Sequence, residues 1–505
     1  MDIEDFLFKN MGKLHPRIVA WLEKRIRKIP SIGQKIDKEY DDIMTDLEGS
    51  VKPYKDKFPA FTEIPATGRA QADILHDMQA MRAEEESHWK DGFVSGAVYH
   101  GDEKHIEFLN QVYALNSQSN PLHSDVWPSA TKFEAEIVAM TANMLGGKGQ
   151  DIHGTISSGG TESIMLAMRT YRDWERETRG ITRPEMIVPI TAHAAFDKAS
   201  QYFNIKTVHI PVDKDFRADV NAARRAVNRN TIVIVGSAPS FPHGVIDPIE
   251  ELSELARQHG IGFHTDACLG GFVLPWAEKL GYPVPPFNFR LPGVTSISAD
   301  THKYGYAAKG TSVILYRGRD LLHHQYYTTT EWPGGLYFSP TFAGSRPGAL
   351  SAACWAAMTS IGEQGYMDAT QKVLETAKEI REGVAQIPEL RLLGDSLFVV
   401  AFASDPSTGS GLDVYKILDF MSHKKWSLNG LHKPTCIHLC VTLRHTQPGI
   451  AERFLSDLRE ATDHVKAFPA EKGTMAPVYG MAATMPMRGL VSDMLKKYLD
   501  LMFKV

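Results

Sequence analysis

Four cysteines in 505 residues, Cys268, Cys354, Cys436 and Cys440, are too few and too scattered to staple a small secreted fold. They suit reduced thiols in a cytosol-like compartment. An excess of positive charge is missing as well. Fifty-five Lys and Arg stand against 60 Asp and Glu, a net charge of -5, so no global positive field exists to hold nucleic acid. No run reaches the roughly 18 apolar residues of a spanning helix. The acidic opening Met1-Asp-Ile-Glu-Asp-Phe6, with its short apolar stretch, is unlike a secretory signal. The expectation is a soluble, cytoplasmic protein. Internal repeats, low-complexity tracts and long Gly/Ser linkers are absent too, which argues against tandem arrays and independently moving modules. With 43% hydrophobic and 23% charged residues, the chain is too apolar for disorder and too long for one simple core. Two or three domains are expected.

Residues 1–115 read as a helical arm, with Ile18, Trp21, Leu22 and Ile26 spaced to face one side and breaks at Pro30, Pro53 and Pro65. Over 116–365 short β-rich runs alternate with helical ones. The runs are His153–Ser157, Met186–Ile190, Lys206–Ile210, Thr231–Val235, Ile261–His264, Thr295–Ser298 and Ser312–Tyr316. That alternation predicts an α/β domain around a mostly parallel sheet with helices on both faces. Residues 366–505 return to helix and strand in turn, as in the β-run Leu397–Phe402 and the helical run 412–422, and predict a smaller α+β domain. Cys436-Ile-His-Leu-Cys440 could offer two metal ligands, but it reads better as a buried strand with both sulfurs on one face. No metal site is expected.

Four β-run ends carry polar residues. His153-Gly-Thr-Ile-Ser-Ser-Gly-Gly-Thr-Glu162 passes from a strand through Gly159, Gly160 and Thr161 into a helix, where backbone N–H groups and the positive dipole end suit a phosphate. A plain strand-to-helix turn is the alternative. Asp266 in His264-Thr-Asp-Ala-Cys-Leu-Gly-Gly271 sits where open α/β sheets present ligands, although a helix N-cap would look the same. His193 in Thr191-Ala-His-Ala-Ala-Phe196 could stack on a planar ring, or could be structural. Lys303 in Ser298-Ala-Asp-Thr-His-Lys-Tyr-Gly-Tyr306 is, taken alone, a surface lysine. Together the four offer a phosphate cradle, a stacking ring, an acid for a pyridinium nitrogen and an amine. One pyridoxal 5'-phosphate would use them all, with Lys303 as its covalent anchor and Asp266 keeping its ring protonated.

At these residues the chain resembles the group II pyridoxal-phosphate decarboxylase family of fold type I, and within it the branch that splits phosphorylated sphingoid bases. Further matching blocks are Ser95-Gly-Ala-Val-Tyr99, Asn120-Pro-Leu-His123, Phe133-Glu-Ala-Glu-Ile-Val138, Phe241-Pro-His-Gly-Val-Ile-Asp247, Ala343-Gly-Ser-Arg-Pro-Gly348 and Tyr479-Gly-Met481. The resemblance implies retro-aldol cleavage of a sphingoid-base phosphate to phosphoethanolamine and a long-chain aldehyde. It implies that Tyr99, Asn120, His123 and Lys309 meet the substrate's phosphate end, with Tyr99 or Lys309 also moving protons. It implies that His302 touches the cofactor phosphate, and that Gly344 and Ser345 reach that phosphate from the second subunit of a homodimer. Tyr337 and Phe338 would line the shared pocket. A second lysine, Lys309, among Ala307, Ala308 and Gly310 suits a phosphate better than the carboxylate a decarboxylase must receive.

Two rivals remain at this stage, an amino-acid decarboxylase of the same family and a catalytically silent relative serving as a binding protein. In the N-terminal segment Lys9, Lys13, Arg17, Lys24, Arg25, Arg27 and Lys28 flank Phe6, Phe8, Ile18, Trp21 and Leu22. The pattern is compatible with peripheral contact to an anionic membrane surface, or with an arm whose basic face is simply solvated.

Overall fold

The computed structural model describes residues 16–409, 411–471 and 488–505. Lys9, Lys13 and the block Tyr479-Gly-Met481 lie outside the described residues. Every β-run expected from the sequence between 153 and 316 is a strand of one seven-stranded sheet: β1 Ile152–Ser157, β2 Glu185–Pro189, β3 Lys206–Ile210, β4 Thr231–Ser237, β5 Gly262–Asp266, β6 Ser296–Ala299 and β7 Ser312–Arg317. Their order is β1-β7-β6-β5-β4-β2-β3. The neighbours from β6 through β5, β4 and β2 to β3 are all parallel, whereas β7 is antiparallel to both β6 and β1. β7 departs from the rule because the chain returns from β6 through the helix-free loop 300–311 instead of a crossover helix. β1, opposed to β7, runs with the majority, so the carboxyl ends of β1, β2, β4, β5 and β6 share one rim.

β2, β4 and β5 are buried along their whole length, as a sheet covered on both faces requires. On β4, Val233 and Val235 belong to the apolar cluster under the helix Gly160–Arg179, while Ile234 between them joins the cluster that includes Leu252 and Leu255 of the helix Ile249–Gln258. Alternate residues therefore serve opposite layers.

A hairpin of β8 Tyr327–Thr329 and β9 Tyr337–Ser339 precedes the long helix Gly348–Ala385, which kinks at Gly362 (φ 62°). Beyond it β10 Leu390–Leu393, β11 Val399–Ser404, β12 Asn429–Leu431 and β13 Cys436–Cys440 form an antiparallel sheet in the order β10-β11-β13-β12. Cys436 and Cys440 are buried thiols, and no cluster of metal-binding side chains occurs among the described residues. The helices Pro16–Ile26 and Pro30–Val51 pack against the C-terminal helix Arg488–Phe503 around Val19, Tyr40, Leu490 and Met494. Among the described residues no helix is long and apolar enough to cross a membrane.

Residues 93–99 leave the N-terminal helices and join the smaller sheet's unit. Ser95 N–H donates to Ser427 O (2.9 Å), and Ser95 Oγ accepts from Cys440 N–H (2.9 Å). Trp426, fully buried, meets Phe93 and Phe454 edge-on at 4.8 and 5.1 Å, and its Nε1–H donates to Asp457 Oδ2 (2.9 Å). These contacts set the position of Tyr99. Trp426→Ala is expected to cost about 3–5 kcal/mol in chemical denaturation, as deletion of a buried large aromatic does. A loss below about 1 kcal/mol would show that the segment is held elsewhere.

Candidate active site

The rim of carboxyl ends surrounds a cavity of about 510 Å³. β1 delivers Ser157, and the turn at Ser158 and Gly159 opens the helix Gly160–Arg179. Ser158 N–H donates to Glu162 Oε2 (2.6 Å), while Ser157 Oγ and Ser163 Oγ share a hydrogen bond (2.7 Å), so the turn is tied from both sides. Gly160 is demanded by close approach. A Cβ there would lie 2.7 Å from both carboxylate oxygens of Asp300 and 2.8 Å from Cys268 Sγ. Gly159, Gly160, Thr161, His193, Asp266, His302 and Lys303 all line this cavity, so the structure brings together the residues that four separate strand ends suggested.

Asp266, a residue 7% exposed, closes β5 and accepts the N–H of Cys268 at Oδ1 (3.1 Å). Two residues earlier on the same strand, His264 is wedged between Ser296 Oγ (2.7 Å) and Ser298 Oγ (3.1 Å) of β6. Burial holds His264 neutral, with its pKa pulled down to about 4. His193 lies on the rim, exposed, its Nδ1 accepting the N–H of Ala195 (3.1 Å).

The loop after β6 carries the amine. Lys303 Nζ is 2.9 Å from Asp300 Oδ2, and Asp300 is almost completely buried. Burial is the largest influence and would lower the lysine's pKa, but the Asp300 charge and hydrogen bond, with Cys268 and Tyr99, together outweigh it and hold Lys303 well above the ordinary lysine range. Burial would likewise raise the Asp300 carboxyl, yet Lys303 and then His302 keep it below the usual carboxylate range. His302 Nδ1 sits 2.5 Å from Thr311 O, and burial pulls that ring below the ordinary histidine value. The loop is clamped from outside: Tyr304 O–H donates to Val441 O (2.5 Å), Tyr366 O–H to Gly305 O (2.8 Å), and His105 Nε2 meets Tyr306 O (2.7 Å).

Lys309, later on the same loop, donates to His302 O (3.3 Å) and places its ammonium 4.6 Å above the ring of Tyr99. One side of Lys309 opens to solvent, but its surroundings strip away enough water to lower its pKa to about 8, with the nearby Lys303 charge adding to the effect. Tyr99 is buried, packs edge-on against Tyr304 at 4.9 Å, and is pushed well above the ordinary tyrosine value by burial.

Lys309 and Tyr99 do not themselves line the cavity, and the other expected residues also stand apart from the cavity of their own chain. Asn120 Nδ2–H donates to Ser345 Oγ (3.1 Å), and Asn120 Oδ1 accepts from Leu122 and Arg346 N–H (3.1 and 3.3 Å). His123 is exposed beside Trp127; Tyr337 and Phe338 belong to β9, and the Tyr337 hydroxyl borders Gly344. Several cavity residues carry no role in the sequence reading: Asp300, Cys268, Pro239 and Phe241. For Asp300 a signal existed, an acid three residues before Lys303 in a strand-end motif. Nothing in the sequence marks Pro239 as a cavity residue.

The fit to pyridoxal phosphate is testable on these atoms. The cradle is one a Cβ would fill, the buried Asp300 Oδ1 has no hydrogen-bond partner, and an amine and three acids, Glu162, Asp266 and Asp300, converge on one cavity. The residues fit the group. A mostly parallel sheet carrying such a set along one rim makes the class a fold type I pyridoxal-phosphate enzyme.

Residues 55–403 match the model of the pyridoxal-dependent decarboxylase conserved domain. The chain is 48% identical over 493 residues to the sphingosine-1-phosphate lyase of Arabidopsis thaliana, covering 96% of this chain and 88% of that protein. It is 44% identical over 485 residues to sphingosine-1-phosphate lyase 1 of Rattus norvegicus, covering 95% and 84%. Among solved structures it resembles the sphingosine-1-phosphate lyase of Burkholderia pseudomallei K96243 with a TM-score of 0.82 and 42% identity, over 90% of this chain and 99% of that one. The chain belongs to the pyridoxal-dependent decarboxylase family, in its sphingosine-1-phosphate lyase branch.

Gly160→Ala is expected to weaken binding of pyridoxal phosphate by about 10–100-fold, because the new methyl displaces the cradle from Asp300. Equilibrium dialysis on cofactor-stripped protein measures it. Unchanged affinity would remove Gly160 from the cofactor site.

Proposed function

We propose that this chain cleaves sphingosine 1-phosphate and related sphingoid-base phosphates to phosphoethanolamine and a long-chain aldehyde, as a pyridoxal-phosphate-dependent aldehyde-lyase. The observation that carries the reading is the pair of lysines on the loop 300–311, one ion-paired beside the cavity and the other over Tyr99. Its similarity to lyases of that name supports the substrate. The bound cofactor supplies an electron sink for the pair released when the carbon-carbon bond breaks.

In this reading Lys303 anchors the cofactor, Asp266 faces its ring nitrogen, His193 stacks on its ring, and Gly159, Gly160, Thr161 and His302 hold its phosphate. Lys309 in its ammonium form pairs with the substrate phosphate. Tyr99, buried and protonated across the ordinary pH range, orients the substrate and can hand on a proton at its hydroxyl. Asn120, His123, Tyr337, Phe338, Gly344 and Ser345 act on the site of a second copy of the chain. Their position outside their own cavity supports this, with His123, Phe338 and Ser345 exposed, as do the exposed Trp332, Leu336 and Phe342 beside them. Divisions near residues 115 and 365 go with this reading as the limits of the cofactor domain, with the helix Gly348–Ala385 running through the second and residues 93–99 of the first segment bonded to the smaller sheet's unit.

A cytoplasmic location goes with this reading. So does peripheral contact with anionic membranes through the N-terminal segment, where Ile18 and Trp21 are exposed beside Lys24, Arg25 and Lys28. In vesicle co-sedimentation, removing residues 1–30 is expected to reduce binding. Equal binding by both versions would exclude the contact.

Incubation with dihydrosphingosine phosphate is expected to yield phosphoethanolamine by mass spectrometry. Release of carbon dioxide from an amino acid, without aldehyde, would identify a decarboxylase instead. Lys309→Ala should keep the bound cofactor's visible absorbance while turnover falls by about 100-fold. The lysine's cation exists below its pKa of about 8 and is lost above it, so kcat/KM in the parent protein should decline as pH rises through about 8. Lys309→Ala should lack that limb, and full activity in this variant would refute the assignment.

A further inference from the structure

One buried acid in the site has no part in the reading above. Asp300 accepts from Lys303 Nζ at 2.9 Å through Oδ2, while its buried Oδ1 has no hydrogen-bond partner. It lies against the start of the helix Gly160–Arg179, so close that residue 160 cannot carry a side chain. The carboxylate thus lies between the helix start on one side and the lysine on the other.

We propose that Asp300 is a positioning residue that holds Lys303 as an ammonium whenever the lysine is not joined to the cofactor, and so governs how readily Lys303 captures and gives up pyridoxal phosphate. The inference rests on Lys303 being the anchor. The charged and titratable groups around the pair come from every neighbouring element. His302 on the same loop has Nε2 3.9 Å from Asp300 Oδ2. Lys309 follows on that loop, Cys268 and Asp266 approach from the end of β5, Cys440 from the end of β13, and Tyr99 from the N-terminal segment. Within this group the close, buried contact belongs to Asp300 alone. Lys309 shares the same neighbourhood without such a partner and is the lysine that loses its proton more easily.

The chemical consequence follows from the proton count. To join the aldehyde carbon, the Lys303 nitrogen must first shed one proton to solvent and free its lone pair. The bond then forms from that pair, and the two remaining nitrogen hydrogens leave with the aldehyde oxygen as water. An acid that stabilises the ammonium slows capture. When the anchor is released, the reverse sequence returns an ammonium to Asp300, and a lysine so held does not compete with the substrate's own amine for the cofactor.

The test uses the full chain stripped of cofactor and mixed with pyridoxal phosphate, with capture followed by visible absorbance between about pH 6 and 10. For the parent protein the rate should climb across the whole range. For Asp300→Asn the rise should move down by about 1–3 pH units, the size of effect a close opposite charge has, so that capture near neutrality is at least about tenfold faster. Asp300→Glu should restore the late rise, a rescue that a merely structural role would not give. An unshifted profile in Asp300→Asn overturns the inference.

Borohydride reduction and peptide mass spectrometry identify the lysine that reacted. An adduct on another lysine would overturn the anchor assignment and this inference together. Should Asp300→Asn fail to fold, the parent protein still decides: in pulse labelling of the stripped chain with an amine reagent, Lys309 should label with a midpoint near pH 8 and Lys303 only far above it. A Lys303 midpoint at or below that of Lys309 would sink the proposal.

Discussion

A partly buried lysine 2.9 Å from a buried aspartate, Lys303 and Asp300, sets the terms for the rest of the site. Isolated burial of either charge would be costly, and each is tolerable because the other is present. The pair also explains its surroundings. Gly160 leaves the acid room, Thr311 O fixes the ring of His302 beside it, and the like charge of Lys303 adds to the burial that takes Lys309 down to about 8. Loop, cradle and second lysine thus respond to one electrostatic constraint.

The sheet supplies the frame on which that constraint acts. Five strands ending along one rim bring residues more than a hundred positions apart into one cavity of about 510 Å³. The reversal at β7 matters as much as the parallel run. Because the chain turns back without a crossover helix, the loop 300–311 stays over the rim, where Tyr304, Gly305 and Tyr306 are held by Val441, Tyr366 and His105. The smaller sheet and the segment bearing Tyr99 are locked together through Trp426 and Ser95, so the side of the site that carries Tyr99 is built on the C-terminal unit.

Lipid specificity is carried in this picture by charge placement and not by a different cofactor apparatus. Amino-acid decarboxylases of the family must receive a carboxylate on the substrate. In the proposed reading a lysine with an open side, seated over an aromatic ring, offers a point charge to the substrate phosphate. Exposed aromatic side chains from 332 to 342 offer apolar surface next to the residues assigned to a second copy.

The order of strands and helices, the four polar strand ends and the resemblance they carry were legible in the chain, because period-two apolar runs and strand-end motifs are local properties. Lys303, Asp266 and His193 could be named from those ends. What only the tertiary structure decided is everything that depends on distance between remote residues. The pairing of Asp300 with Lys303 instead of solvent, the reversal of β7 and the approach of Gly160 to Asp300 belong to this group. So does the separation of Asn120 and Ser345 from their own chain's cavity. A sequence states which groups are available. The balance of burial against partner charge, which makes one lysine of the loop an ammonium and the other easily deprotonated, exists only once the chain has closed around them.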